Sequence, residues 1–263
     1  MRFELLFFDT ADSALGRVDH ESLSQQALME MVIEGIVNKR EICGDGDDPK
    51  DIEEWKGVVI ENGEVVEIQW PDCWLTGSLC LQWLPSSVRE FAAFHNTLTG
   101  TLDWTSLPTS MKTLNLPYNV FTGSISMEKL PDKMELISVF KNQLSGSLKL
   151  ESLPDTLIHF VAYSNQFSGS VDLTQLPAAL ICFDISQNQL SGSVLLTQLP
   201  SNLEYLFLLR NQFSGSLDLT RLPPNIKKVN LSRNQFSGEV FITDELFNKV
   251  DVRNTEVIKR HME

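Results

Sequence analysis

Over most of this chain, apolar and polar residues alternate in short bursts. In the stretch Leu203 to Leu222, Leu203, Leu206 and Leu208 hold positions 1, 4 and 6, and Asn211 holds position 9. Leu206 and Leu208 alternate with Tyr205, Phe207 and Leu209, which predicts a strand with one buried face. One such strand cannot bury its apolar row alone, so like units must stack beside it. The spacing meets that need. Leu-Pro recurs at 84–85, 107–108, 130–131, 153–154, 176–177, 199–200 and 222–223, in steps of 23 residues. Asn96, Asn119, Asn142, Asn165, Asn188, Asn211 and Asn234 keep the same step, as do eight glycines from Gly77 to Gly238. The chain has 14 glycines, and the other six all precede residue 65, so a boundary between a leading segment and a repeat array falls there.

Each conserved place in the unit has a predicted job. The asparagine sits where the chain leaves the strand, and its amide can satisfy open backbone groups, so a stacked ladder is expected. Two residues later an inward Leu or Phe (Leu75, Leu98, Phe121, Leu144, Phe167, Leu190, Phe213, Phe236) makes an apolar spine. The following glycine permits a backbone conformation that a side chain penalises. Pairs such as Leu102/Trp104, Leu148/Leu150 and Leu217/Leu219 then predict a second short strand, and Leu-Pro forces the turn back.

The resulting pattern, L-x-x-L-x-L-x-x-N-x-[LF]-[ST]-G-[ST]-[LV]-x-L, resembles the leucine-rich repeat family, with the S-G element of its plant-like subclass. It departs from that subclass in having 23-residue units and Leu-Pro in place of Ile-Pro, and Cys73 takes the asparagine position of the first unit. The resemblance implies an α/β repeat fold: a curved solenoid with a parallel concave sheet, short second strands and turns on its other faces, and a helical N-terminal cap. It also implies a non-enzymatic binding role for the concave sheet. The expected organisation is a cap over 1–64, eight repeat units over 65–248 and a C-terminal half-repeat over 249–263.

The ends of an open solenoid need covers. Helical spacing of Leu23, Ala27, Leu28, Met31, Val32 and Ile36 predicts an amphipathic helix within Asp19 to Arg40. Asp48-Pro49 reads as an N-cap with Pro at the first helical position, ahead of Ile52 and Trp55. Trp55-Lys56-Gly57-Val58 and Val65 to Trp70 resemble the plant-like cap, which the family closes with a cysteine pair. Cys43 matches its first member, while Val59 and Ile60 stand where the second is expected. Val250, Val252 and Val257 mark the terminal half-repeat.

Charge narrows the function classes. The net charge is −14, which opposes binding to phosphate backbones. Residues 1–64 hold 16 acidic and 6 basic residues, a balance of −10, and read as a solubilising surface. The apolar run Leu5 to Phe8 is too short for a membrane span or the core of a secretory signal. A cytoplasmic location is expected, with a secreted or cell-surface one as the alternative.

Among chemistry-bearing residues, Cys73 is expected inward, Cys182 outward on the concave sheet, and Cys80 outward in the later strand. Separate faces favour reduced thiols, although Cys73–Cys80 and Cys43–Cys73 pairings stay open. Asp45-Gly46-Asp47-Asp48 lacks the later residues of a calcium loop and reads as a polar turn. His159 and Cys182 lie 23 apart with Asp184 facing the same way, which is the residue set of an activated thiol. An open sheet lacks the pocket and oxyanion donors such chemistry needs, so no enzyme activity, metal or cofactor is expected. The aromatic columns say more. Phe94, Tyr118, Phe140, Tyr163, Tyr205, Phe207, Leu209 and Arg210 are placed on the concave face, where a solvated sheet is ordinarily polar. Aromatic residues with Arg mark recognition surfaces, and they also stabilise sheets by cross-strand contact. The expected function is a monomeric scaffold that binds a protein or peptide. The alternatives are a receptor-like ectodomain and, remotely, an effector or enzyme using Cys182 and His159.

Overall fold

The computed structural model describes residues 22–46 and 48–262; Leu5 to Phe8 and Asp47 lie outside that range. The chain winds as a solenoid. Its principal sheet has ten strands, beginning with the antiparallel hairpin Val58–Glu61 and Glu64–Gln69. From there every strand is parallel to the last, through Glu90–Ala92, Thr113–Asn115, Leu136–Ser138, His159–Val161, Cys182–Asp184, Tyr205–Phe207 and Lys228–Asn230 to Val250–Asp251. Cys182 pairs with His159 and with Tyr205, so residues 23 apart are lateral neighbours. Phe91, Leu114, Ile137, Phe160, Phe183, Leu206 and Val229 are the fully buried central residues of these strands.

The stack closes on its asparagines. Oδ1 of Asn142 accepts from Phe121 N at 3.0 Å, and its Nδ2 donates to the carbonyls of Leu116 at 3.0 Å and Val139 at 3.1 Å. Asn119 and Asn165 repeat this one unit earlier and later, so each amide ties its own turn to the preceding coil. Between strand and asparagine, one residue per unit takes a left-handed backbone: His95, Tyr118, Lys141, Ser164, Gln187, Arg210 and Arg233 all have φ between 52° and 56°. None is glycine, and the asparagine bonds hold each bend in place.

The second strands lie earlier in the unit than the sequence reading placed them. They run through the spine residue and the glycine, as in Gln166–Gly169, Gln189–Gly192 and Gln212–Gly215, and form a six-stranded sheet from Ser145–Gly146 to Glu256–His261. Gly169, Gly192 and Gly215 have φ of 83–88°, which turns the chain after the last ladder bond. The following apolar pairs are buried but not paired; Leu150, for example, starts a short 3-10 turn, Leu150–Ser152. Ser168 lies opposite Gln189, and Ser191 opposite Gln212, so lateral neighbours in this sheet are 21 apart. After each Leu-Pro, the proline carbonyl accepts from the third residue on, as Leu180 N does to Pro177 O at 3.1 Å.

The cap differs from expectation in two details. The helix covers only Gln25–Val32, capped by Ser24, whose hydroxyl accepts from Ala27 N. It stops because Gly35 must lie against the first coil: Ser78 N donates to Gly35 O at 2.8 Å, and a Cβ on Gly35 would meet Ser78 Oγ at 2.3 Å. The second cap residue is Asp51 rather than Asp48. Its carboxylate accepts from Glu53 N and starts a 3-10 turn, Ile52–Glu54, to which Asp48 and Pro49 only lead. The Trp55 indole N–H donates to Lys50 O within the cap, and that of Trp70 donates to Lys56 O and holds the cap to the array. At the far end Val250 and Val252 are buried, and Val257, in the last strand Glu256–His261, is half-buried.

Candidate binding face

The outward residues of the principal sheet form columns with a 23-residue step. Phe94, Phe140 and Tyr163 share one column, and Tyr118 leans in from the left-handed position beside it. Their rings form a file: His95 and Tyr118 at 4.2 Å, Tyr118 and Phe140 at 5.3 Å, both edge to face, then Phe140 and Tyr163 stacked at 4.4 Å. Phe94 joins through His95 at 5.7 Å. Lys141 caps the file, its Nζ 4.3 Å from the Tyr118 ring centre and 3.0 Å from the hydroxyl.

The sequence predicts an open sheet without a pocket, and the face departs from that. A shallow, mainly apolar concavity of about 520 Å³ runs alongside the file. Phe94, His95, Tyr118, Leu136, Phe140, His159 and Val161 line it. Leu136, Val161 and His95 were missed from sequence. The first two stood in outward columns that were not followed, and His95 was hidden because its bend is legible only from φ.

Tyr205, Phe207, Leu209 and Arg210 lie further along, on the strand Tyr205–Phe207 and the bend after it. Tyr205 and Phe207 rings are 6.2 Å apart, with Lys227 and Lys228 ammonium groups 5.8 and 5.9 Å from their respective ring centres. The eight residues singled out from sequence thus fall into two groups. Between them lies the unit of Cys182, Asp184 and Ser186, beside Val161 on one side and Phe207 on the other.

That middle unit does not hold an activated thiol. Burial, and then the adjacent Asp184 charge, push the Cys182 thiol up to about 11, and no hydrogen bond joins it to His159. A nucleophilic cysteine needs the opposite shift. All four cysteines are free; Cys43 and Cys73 are buried, Cys182 is half-buried on its sheet, and Cys80 stands at the start of a 3-10 turn rather than in a strand. Burial raises the carboxyl of Asp184 above the usual range, against two Ser186 bonds that lower it.

No family model matches the chain, and no curated protein matches it in sequence. Solved structures do match its fold. A crystal structure of pollen receptor kinase 3 superposes with a TM-score of 0.56 at 23% identity, over 71% of this chain and 94% of that one. The structure titled PEPR1-AtPEP1 matches at 0.56 and 17% identity, over 90% of this chain; the match spans only 41% of that protein. A plant ice-binding protein matches at 0.53 and 16% identity, over 89% and 95% of the two chains. With its stacked 23-residue units, the chain has the leucine-rich repeat solenoid fold that these solved structures share. Among the described residues, no helix is long and apolar enough to cross a membrane.

Proposed function

We propose that this protein is a non-catalytic scaffold that captures an extended protein or peptide segment on its concave sheet. The observation that carries this is the aromatic file beside an apolar concavity: five connected rings and two aliphatic side chains gather where a solvated sheet would be polar. Rings with a basic neighbour suit partner anchoring. The likeness to a receptor kinase supports ligand capture and leaves both an intracellular scaffold and a receptor-like part as settings for it. Proximity labelling in the native cell, with wild type against a Phe140→Ser/Tyr163→Ser pair, tests the reading. Loss of specific neighbours with thermal stability nearly kept supports it. A large stability loss with neighbours unchanged assigns the rings to holding the sheet.

A second reading rests on the other sheet. Outward rows of Thr99, Thr122, Ser145, Ser168, Ser191 and Ser214, with Ser147, Ser170, Ser193 and Ser216, make a hydroxyl lattice whose second row ends at Glu239. Strands spaced by roughly 4.8 Å repeat those groups regularly enough to order a water layer. The likeness to a plant ice-binding protein supports ice as the partner of that face. Inhibition of ice recrystallisation, lost on Ser168→Lys/Ser191→Lys, is its test; no inhibition by wild type removes it.

A further inference from the structure

Asp184 is the one carboxylate in the middle of the binding face, and the turn does not account for its charge. Its Oδ1 accepts both Ser186 N at 2.9 Å and Ser186 Oγ at 2.5 Å. Asn230, two units on, makes the same pair of bonds to Ser232, at 3.1 and 2.7 Å, with a neutral amide. A neutral side chain therefore serves the local structure equally well. Among the described residues, the second oxygen of Asp184 takes no hydrogen bond and no cationic side chain contributes to its electrostatic surroundings, and that oxygen is not among the sealed polar atoms of the core.

Its setting is aromatic as well as anionic. Phe207 lies directly beside Asp184 on one strand and Val161 on the other, and Tyr163 is near, its phenol raised first by burial, then by Tyr118, and least by Asp184. A carboxylate beside aromatic side chains matches an alkylammonium or guanidinium group, which can gain a charge-assisted bond and a cation–π contact together. A net charge of −14 also draws cationic partners.

We infer that Asp184 is a cation subsite of the concave face, taking a Lys or Arg side chain from a captured segment whose neighbouring apolar residue fills the Phe140/Val161 concavity. The inference rests on the capture reading above. Two strand spacings, roughly 10 Å, separate the middle of the concavity from Asp184, which is about three residues of extended chain. The bound segment therefore has an aromatic or aliphatic residue and a basic one two to four positions apart.

The test uses the whole protein on arrays of capped glycine-based peptides, each with one Phe and one Arg separated by zero to four glycines. Matched arrays replace Arg by the neutral isostere citrulline. The expected result is at least roughly tenfold stronger capture of Arg than citrulline at the best spacing, and loss of that preference in Asp184→Asn. Equal capture of Arg and citrulline, no capture of either, or an Arg preference unchanged in Asp184→Asn overturns the inference. Capture that ignores Asp184 but disappears in Phe140→Ser overturns the subsite while sustaining the concave-face reading. Circular dichroism melts of Asp184→Asn check that it folds, and Asp184→Glu, which keeps the charge, is expected to retain part of the preference.

Discussion

Replacing Asn142 by alanine removes one side chain and takes its bonds from four backbone groups of two coils at once, the Phe140 carbonyl by the longest of them, 3.4 Å. Phe121 N loses its 3.0 Å acceptor, and the carbonyls of Leu116 and Val139 lose donors at 3.0 and 3.1 Å. Asn142 is only 8% exposed, so water cannot replace those bonds without opening the coil. A buried, unpaired N–H costs about 1–3 kcal/mol, and each lost carbonyl bond about 1 kcal/mol more, for a total near 3–5 kcal/mol. At about 2–4 °C per kcal/mol for a chain of this size, the melting temperature should fall by roughly 10 °C. Thermal circular dichroism reads that directly, and hydrogen exchange should show the Phe121 amide losing protection first. Asn142→Asp separates hydrogen bonding from packing. It keeps the acceptor but turns a carboxylate toward the carbonyl oxygens, so its folded-state pKa must lie above that of the free carboxyl. Stability relative to wild type is then best in acid, where the protonated carboxyl donates, and is lost as pH rises through that raised value. A melting temperature for Asn142→Ala within about 3 °C of wild type, or an Asn142→Asp defect independent of pH, would refute the ladder as the source of stability.

Asp184 should behave in the same direction on the native chain. Its carboxyl is raised, chiefly by burial, so the folded state holds the proton more tightly and stability declines as pH rises from the ordinary carboxylate value through the raised one. Asp184→Asn should therefore melt higher than wild type at neutral pH and lose that advantage in acid; an equal or lower melting temperature at neutral pH contradicts this. Gly123→Ala should cost more than Gly63→Ala. Both have φ near +84°, worth about 1–2 kcal/mol, but a new Cβ at 123 also meets Thr101 Cγ2 at 3.0 Å whereas at 63 it meets nothing within 4 Å. Equal denaturant midpoints for the two variants would count against the contact. In native protein near pH 8, iodoacetamide should label Cys80 first and Cys182 slowly, because the Cys182 thiol lies up at about 11, with Cys43 and Cys73 protected until unfolding. Fast labelling of Cys182, read by intact mass, would show its thiolate to be stabilised after all.

The coil itself was legible because a 23-residue step fixes which residues are neighbours. Once Leu206 and Leu208 are inward, Phe183 and Ile185 must be too, and the solenoid follows. What the step does not reveal is where each backbone group finds its partner. The second strand was misplaced onto pairs such as Leu148/Leu150 because apolar alternation there reflects burial beneath the turns, while the ladder bonds belong to the Gln-Phe-Ser-Gly stretch before it. The cap went to Asp48 because Asp-Pro is the stronger sequence signal; Asp51 wins because its carboxylate reaches Glu53 N. The candidate binding face was half legible. Aromatic residues stood out by type, but their division around Cys182, Asp184 and Ser186 depends on lateral order, and the recruitment of Tyr118 and His95 depends on a left-handed bend taken by ordinary residues.

The two sheets count differently, 23 on one face and 21 on the other. A substitution repeated at the same place in every unit therefore writes a straight line down the principal face, but a slanted one across the second. Any straight, rigid object laid crosswise over that second face meets a serine from one unit, the next serine from its neighbour and a glutamine from the one after, as Ser147, Ser168 and Gln189 would present themselves. Duplication of units thus extends a uniform stripe on the principal face, and a woven, mixed texture everywhere that the oblique sheet meets solvent.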